Sequence, residues 1–289
     1  MTQPAADGFT LFAVPKGFRD DAARHQRNAL ASWRALGPHV EIILFADDPG
    51  TREAAEEFGA VHVPDVAVSE LGTPLLHAVF AEAQRRAKWP IVMFTNADII
   101  YTPDLVAAIA AMREVPRFLT VGQRIDLDVE EDVTTGADAL PALIARAATD
   151  GVPHAPAGSD YFIFRRGTVE LPPFSVGRPG WDNWLLYWAR REGVPLIDAT
   201  ADITAIHQNH DYSHSKFGGK THVRGPEYFA NIRLAGGFSN MLDLRSADWQ
   251  LRDGRATPKP LVARLRSWWW NCAPVRHALA ARRRRRAGL

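Results

Sequence analysis

Short apolar runs recur along this chain, separated by longer stretches in which apolar residues return every three or four positions. Residues 10–14, 40–46, 60–63, 117–122, 160–165, 196–198 and 203–207 read as strands. Residues 20–36, 51–58, 74–87, 103–113, 137–149, 180–191 and 226–234 carry the helical period. In the first of these helices Ala29, Leu30, Trp33 and Leu36 share a face, Asp20 or Asp21 caps the start, and Gly37-Pro38 ends it. The polar, Gly- and His-rich stretch 208–225 reads as a loop. Strand and helix alternate over short connections, which predicts an α/β fold with a mixed, mostly parallel sheet flanked by helices.

The most apolar run follows Pro90: Ile91-Val-Met-Phe, then Thr95-Asn96-Ala97-Asp98-Ile99-Ile100. Such a run predicts a strand buried on both faces. It delivers Asn96 and Asp98 to its carboxyl end, where open α/β sheets bind ligands. Two readings of the pair stay open. Asp98 holds a divalent cation through a hard oxygen, or the two residues cap the turn into the helix that Tyr101-Thr102-Pro103-Asp104 starts.

Composition adds exclusions. At 289 residues, 46% hydrophobic and 23% charged, the chain has room for one large core. A single cysteine, Cys272, rules out an internal disulfide framework and fits a reducing compartment. There is no signal-peptide pattern, and no apolar run nears the ~20 residues that cross a bilayer. A cytoplasmic protein is expected. The net charge of +1 conceals an asymmetry: residues 255–289 hold ten basic residues and no acid. That leaves 24 of the 34 Lys and Arg against all 33 Asp and Glu in residues 1–254. An acidic body does not suit nucleic acid. The tail joins Trp268 to Trp270 with arginines, and either lies on an anionic membrane surface or packs back on the body.

Neither Gly-x-Gly-x-x-Gly nor Gly-x-x-x-x-Gly-Lys-Ser/Thr is present, so phosphate binding would fall to a metal ion and cationic side chains. His207, His210 and His214 crowd one loop after a strand, as metal ligands or as solvated histidines. Gly180-Trp181-Asp182-Asn183-Trp184 opens an aromatic helix. Asp182 there is either a helix-start carboxylate or a base that takes a proton from an acceptor hydroxyl.

The order of these motifs carries a resemblance. It runs Pro15-Lys16, Gln26-Arg27-Asn28, Phe45-Ala-Asp47-Asp48, Gly72-Thr73-Pro74, Thr95-Asn96-Ala97-Asp98, Gly158-Ser159-Asp160-Tyr161, Gly180 to Trp184, then the His207 loop. Over about residues 9–245 it resembles bacterial GT-A-type glycosyltransferases. The resemblance implies one GT-A-like (Rossmann-like) domain over 9–250, with a nucleotide-binding half (9–122) and an acceptor-binding half (123–250), before a basic tail (255–289). It implies sugar transfer from a nucleoside-diphosphate sugar to a saccharide or lipid-linked saccharide, in surface polysaccharide or glycolipid assembly. Mn2+ or Mg2+ would sit on Asp98, with His207 or His210 as a further ligand. Asn96, which departs from the family's usual Asp, would touch ribose or the metal's water. Asp182 would be the base of an inverting reaction. Val14, Lys16, Asp47 and Asp48 would line the nucleotide pocket, with Asn28, Gly72 and Thr73 beside them. Ser159, Asp160, Trp181 and Asn183 would face the acceptor. The rival functions are a sugar nucleotidyltransferase, which needs a Gly-rich first turn that Val14-Pro-Lys-Gly17 does not supply, and a non-catalytic carbohydrate-binding protein built on the tryptophans.

Overall fold

The computed structural model describes residues 8–209 and 225–287. Its first half alternates β1 (Phe9–Ala13), α1 (Asp20–Ala35), β2 (Val40–Phe45), α2 (Thr51–Glu57), β3 (Val61–Val63), α3 (Leu76–Arg86) and β4 (Ile91–Thr95). Then come β5 (Ile99–Tyr101), α4 (Asp104–Ala111), β6 (Leu119–Val121), β7 (Ile125–Leu127), α5 (Ala139–Asp150), β8 (Val152–Pro153) and β9 (Tyr161–Arg165). The last part holds α6 (Trp181–Arg191), β10 (Leu196–Asp198), β11 (Ala205–Gln208), α7 (Pro226–Leu234), β12 (Trp249–Arg252), β13 (Arg255–Pro258), α8 (Leu261–Asn271) and α9 (Ala273–Ala287).

The main sheet runs β13-β12-β10-β6-β9-β4-β1-β2-β3. Seven of these strands are parallel, while β9 runs against β4 and β6, and β13 against β12. The expected α/β class and mostly parallel sheet are what the chain forms. From β1 the chain moves outward to β2 and β3, then crosses back to β4 on the other side. The carboxyl ends of β1 and β4 therefore flank the switch point, where an α/β sheet opens a crevice. A second sheet, β5-β11-β7-β8, sits beside that rim.

Both faces of the main sheet are buried, and the alternation along each strand sorts its residues between them. Phe12, Phe45, Phe94, Phe162 and Phe164 point one way, under α3, α6 and α7. Leu11, Ile42, Leu44, Met93 and Ile163 point the other, under α1 and α4. On the first face Phe12 meets the rings of Phe80 at 5.0 Å and Phe94 at 5.5 Å, both edge-on. Trp33 fixes α1 by donating its indole N–H to the Ile99 carbonyl at 2.8 Å.

Several elements depart from the sequence-based expectation. Asp20 and Asp21 do not cap α1; the cap position is Arg19, and the two acids lie in the first turn, where the helix dipole favours them. The hairpin β12–β13 crosses the boundary expected near 250 and closes one edge of the main sheet. Within the tail α9 packs on the body, with Ala280 buried and the Arg276 guanidinium over the Tyr187 ring at 5.4 Å, while Trp268 and Trp269 on α8 are exposed rather than packed back.

Trp181 is a core residue rather than an acceptor contact. It is 6% exposed and meets the rings of Phe94 at 5.2 Å and Phe162 at 5.1 Å. Trp181→Ala should cost about 3–5 kcal/mol of stability in chemical denaturation. A variant of unchanged stability but raised acceptor KM would restore the acceptor role.

Candidate active site

The rim at the carboxyl ends of the parallel strands collects most of the residues singled out above. β1 and β4 pair in register, Phe12 opposite Phe94, so Val14 and Lys16 leave the sheet beside Asn96 and Asp98. Gln26, buried on α1, holds this exit: Lys16 N–H donates to Gln26 Oε1 at 2.7 Å, and Gln26 Nε2 donates back to the Lys16 carbonyl at 2.9 Å. The Lys16 side chain remains exposed. Asp47 and Asp48 lie exposed at the end of β2, and burial together with the neighbouring Asp47 charge pushes the Asp48 carboxyl up. Ala46 just before them adopts a φ of 71°, a strained conformation for alanine at the rim.

Gly72 and Thr73 belong to a turn tied elsewhere. Ser69 accepts from the Thr73 N–H at 3.2 Å and donates to Glu227 at the start of α7. Burial raises the Glu227 carboxyl, but hydrogen bonds from Ser69 and Thr73 and the Arg178 charge outweigh it and hold it low. These contacts pin the 69–73 turn to α7.

Asn96 and Asp98 part company at the end of β4. Asn96 Nδ2 donates to Asp160 Oδ1 at 2.6 Å, and Asn96 N–H donates to the Asp160 carbonyl at 2.8 Å. The Asn96 amide nitrogen is thus a strut to the start of β9, in addition to the ribose or water contact expected of this residue. Asp98 turns instead toward β11: its Oδ2 lies 4.0 Å from His207 Nε2. His207 Nδ1 in turn lies 3.4 Å from Asp126 Oδ1. The neighbouring Gln208 donates from Nε2 to the carbonyls of Asp98 at 3.0 Å and His25 at 2.7 Å, fixing the two strand ends against each other.

Asn28 serves that clamp. It is fully buried, donates to Gln208 Oε1 at 3.0 Å and to the Glu131 carbonyl at 2.8 Å, and accepts from the Val133 N–H at 2.9 Å. With its amide so engaged it is no nucleotide contact, a second correction.

An ion-pair network missed in the sequence underlies the rim. Arg124 reaches Asp160 Oδ2 at 2.7 Å through Nη1 and Asp126 Oδ1 at 2.8 Å through Nε. His154 Nδ1 donates to Asp126 Oδ2 at 2.6 Å. Burial pushes the Asp126 carboxyl up, but the His154 hydrogen bond and the Arg124 charge outweigh it and hold it below the usual carboxylate range. Asp160 is therefore spanned by Asn96 and Arg124, and its expected role as an acceptor contact gives way to a structural one. The available signal was Arg124-x-Asp126 beyond a strand end, two charges on one face of a short strand. Arg124→Ala would strand two mostly buried carboxylates, and denaturant unfolding should show a loss of about 3–5 kcal/mol.

Asp182 lies in the first turn of α6. Gly180 before it has a φ of 112°, which favours glycine, and lets its N–H donate to Asp182 Oδ1 at 3.2 Å. Asn183 donates to the Ala157 carbonyl at 3.1 Å, which joins the start of α6 to the segment carrying Ser159, itself buried. Desolvation pushes the Asp182 carboxyl up to about 6; backbone N–H groups of Asn183 and Gly180 oppose this and the Asp160 charge adds to it. A carboxylate near neutrality is suited to proton transfer.

Among the described residues no three His, Cys, Asp or Glu side chains form a ready-made metal centre. His210 lies outside the described residues. Asp98 and His207 present one hard oxygen and one imidazole nitrogen, a set that fits Mn2+ or Mg2+, since such ions take few protein ligands and complete their shells with phosphate oxygens and water.

No family model matches the chain, and no curated protein matches it. Similar solved structures include glucosyl-3-phosphoglycerate synthase from Mycobacterium tuberculosis with phosphoglyceric acid, 15% identical, with 80% of each chain covered and a TM-score of 0.47. The same enzyme with Mn2+, uridine diphosphate and glucosyl-3-phosphoglycerate is 15% identical over 80% of each chain, with a TM-score of 0.45. S. aureus TarS is 13% identical over 43% of this chain, with a TM-score of 0.33, and the match spans 23% of TarS.

Proposed function

We propose that this chain transfers a glycosyl group from a nucleoside-diphosphate sugar to a hydroxyl acceptor. What supports the reading is the Asp98–His207 pair beyond the sheet's switch point, together with a carboxyl, Asp182, that feels the Asp160 charge and is raised to about 6.

The nucleotide lies beyond β1 and β2, against Val14, Lys16, Asp47 and Asp48, with its diphosphate directed toward Asp98. A divalent cation held by Asp98 and His207 would supply positive charge against the departing diphosphate. The Lys16 ammonium adds to it from the exit of β1. Asp182 takes the proton of the acceptor hydroxyl as that oxygen attacks the anomeric carbon. The bond from that carbon to the phosphate oxygen breaks, and the nucleoside diphosphate leaves with the electron pair. A single base acting opposite the leaving group inverts the anomeric centre. The acceptor is a saccharide or lipid-linked saccharide.

Calorimetric titration with a series of nucleoside diphosphates, with and without Mn2+, tests the reading. One nucleoside diphosphate should bind, and more tightly with Mn2+. Saccharide binding with no response to any nucleotide would replace the enzyme with a carbohydrate-binding protein.

A further inference from the structure

Helix α8 turns its apolar side outward. Leu261, Val262, Leu265, Trp268 and Trp269 are 69%, 71%, 56%, 65% and 54% exposed. At about 100° per residue they fill an arc of roughly 120° along one side of the helix. Ser267, on the opposite side, is 2% exposed and donates to the Ser246 carbonyl at 2.8 Å. The docked side of α8 is thus a small polar residue held by the body, and the large apolar side chains point outward. This inverts the usual placement of a surface helix.

Charge indicates what covers that side. Arg264 and Arg266, both exposed, flank the apolar arc, one on each edge. Arg282 and Arg285 on α9 are exposed as well, and residues 255–289 contain no acid. A protein groove complementary to the arc would have to bury or pair these arginines, and a second copy of this chain would bring up the same positive charge. An anionic lipid surface accepts both features together, with leucines and tryptophans at the headgroup boundary and guanidinium groups on lipid phosphates. No helix among the described residues is long and apolar enough to cross a membrane.

We propose that α8 lies on an anionic bilayer surface, its Leu261–Trp269 face inserted and its arginines on the headgroups. The proposal is independent of the sugar-transfer reading.

Removing the tail to test this would be misleading, because a cut after Asp253 also strips β13 from the sheet edge. Substitution within the full chain is cleaner: Leu265→Glu with Trp268→Glu alters two exposed positions of the arc. Co-sedimentation with phosphatidylcholine vesicles containing about a third phosphatidylglycerol should retain the wild type, and the double variant should lose at least ~10-fold in partitioning. Pure phosphatidylcholine or raised salt should weaken wild-type binding. A wild type that stays in the supernatant, or a variant that sediments equally well, overturns the proposal. So does wild-type self-association in light scattering that the variant loses, which would name a second copy as the occupant. An unchanged melting temperature of the variant shows that it is folded.

Discussion

Asp98→Ala should abolish metal-strengthened donor binding and lower turnover by roughly 10³-fold or more, the several kcal/mol that a cation contributes against a developing diphosphate charge. The effect should be large because the described residues offer no ready-made cluster of three His, Cys, Asp or Glu side chains to take over the ion. The Gln208 clamp holds the Asp98 carbonyl, which the substitution keeps, so the variant should remain folded. Calorimetry with the cognate nucleoside diphosphate, run with and without Mn2+, separates the two effects. If the variant retains the Mn2+ increment in affinity, the ion binds elsewhere.

Asp182→Asn should cut turnover by ~10²-fold or more while leaving donor affinity intact, as expected for the loss of a general base. The wild-type rate should climb with pH through about 6, the value to which desolvation raises this carboxyl, and that limb should vanish in the variant. Stability should move in the opposite sense. The folded carboxyl holds its proton more tightly than the unfolded one, which titrates near ~3.9. The native state is therefore favoured where Asp182 is protonated, and loses that advantage as pH rises from about 4 through about 6. Above that range the asparagine variant should be the more stable, by up to roughly 3 kcal/mol. A variant that is both weaker in activity and weaker in stability would mark Asp182 as a structural helix-start residue instead.

The sheet was legible because its strands are buried on both faces and its helices are amphipathic, so period alone separated the two. Short pieces escaped. β7 and β8, with 3 and 2 residues, carry too few positions to show a period, and β12–β13 alternates polar residues at a sheet edge. Candidate positions were readable where a strand ends in a polar residue, as at Asp98 and His207, which the fold brings side by side. It was unreadable where polar groups are spent on one another. Asn28 and Asp160 have the composition of ligand-binding residues and the hydrogen bonds of scaffold, and only three-dimensional pairing tells the two apart. Trp181 failed for the converse reason: an aromatic beside a carboxylate suggests a sugar platform, yet the ring points into Phe94 and Phe162.

The lone reversed strand at the middle of the sheet has a consequence for how the molecule is born. β9 is the sole bridge between the block β3-β2-β1-β4 and the block β6-β10-β12-β13. On the ribosome the first block is complete once Thr95 has emerged, yet the flank of β4 finds its neighbour only after Arg165. For that interval a nascent polypeptide displays the open hydrogen-bonding edge of a strand whose first four residues are apolar, the kind of edge that templates aggregation. The seam at the middle of the sheet is thus closed about 70 residues after its first block is made, and that interval is the stage of biosynthesis at which chaperone protection matters most.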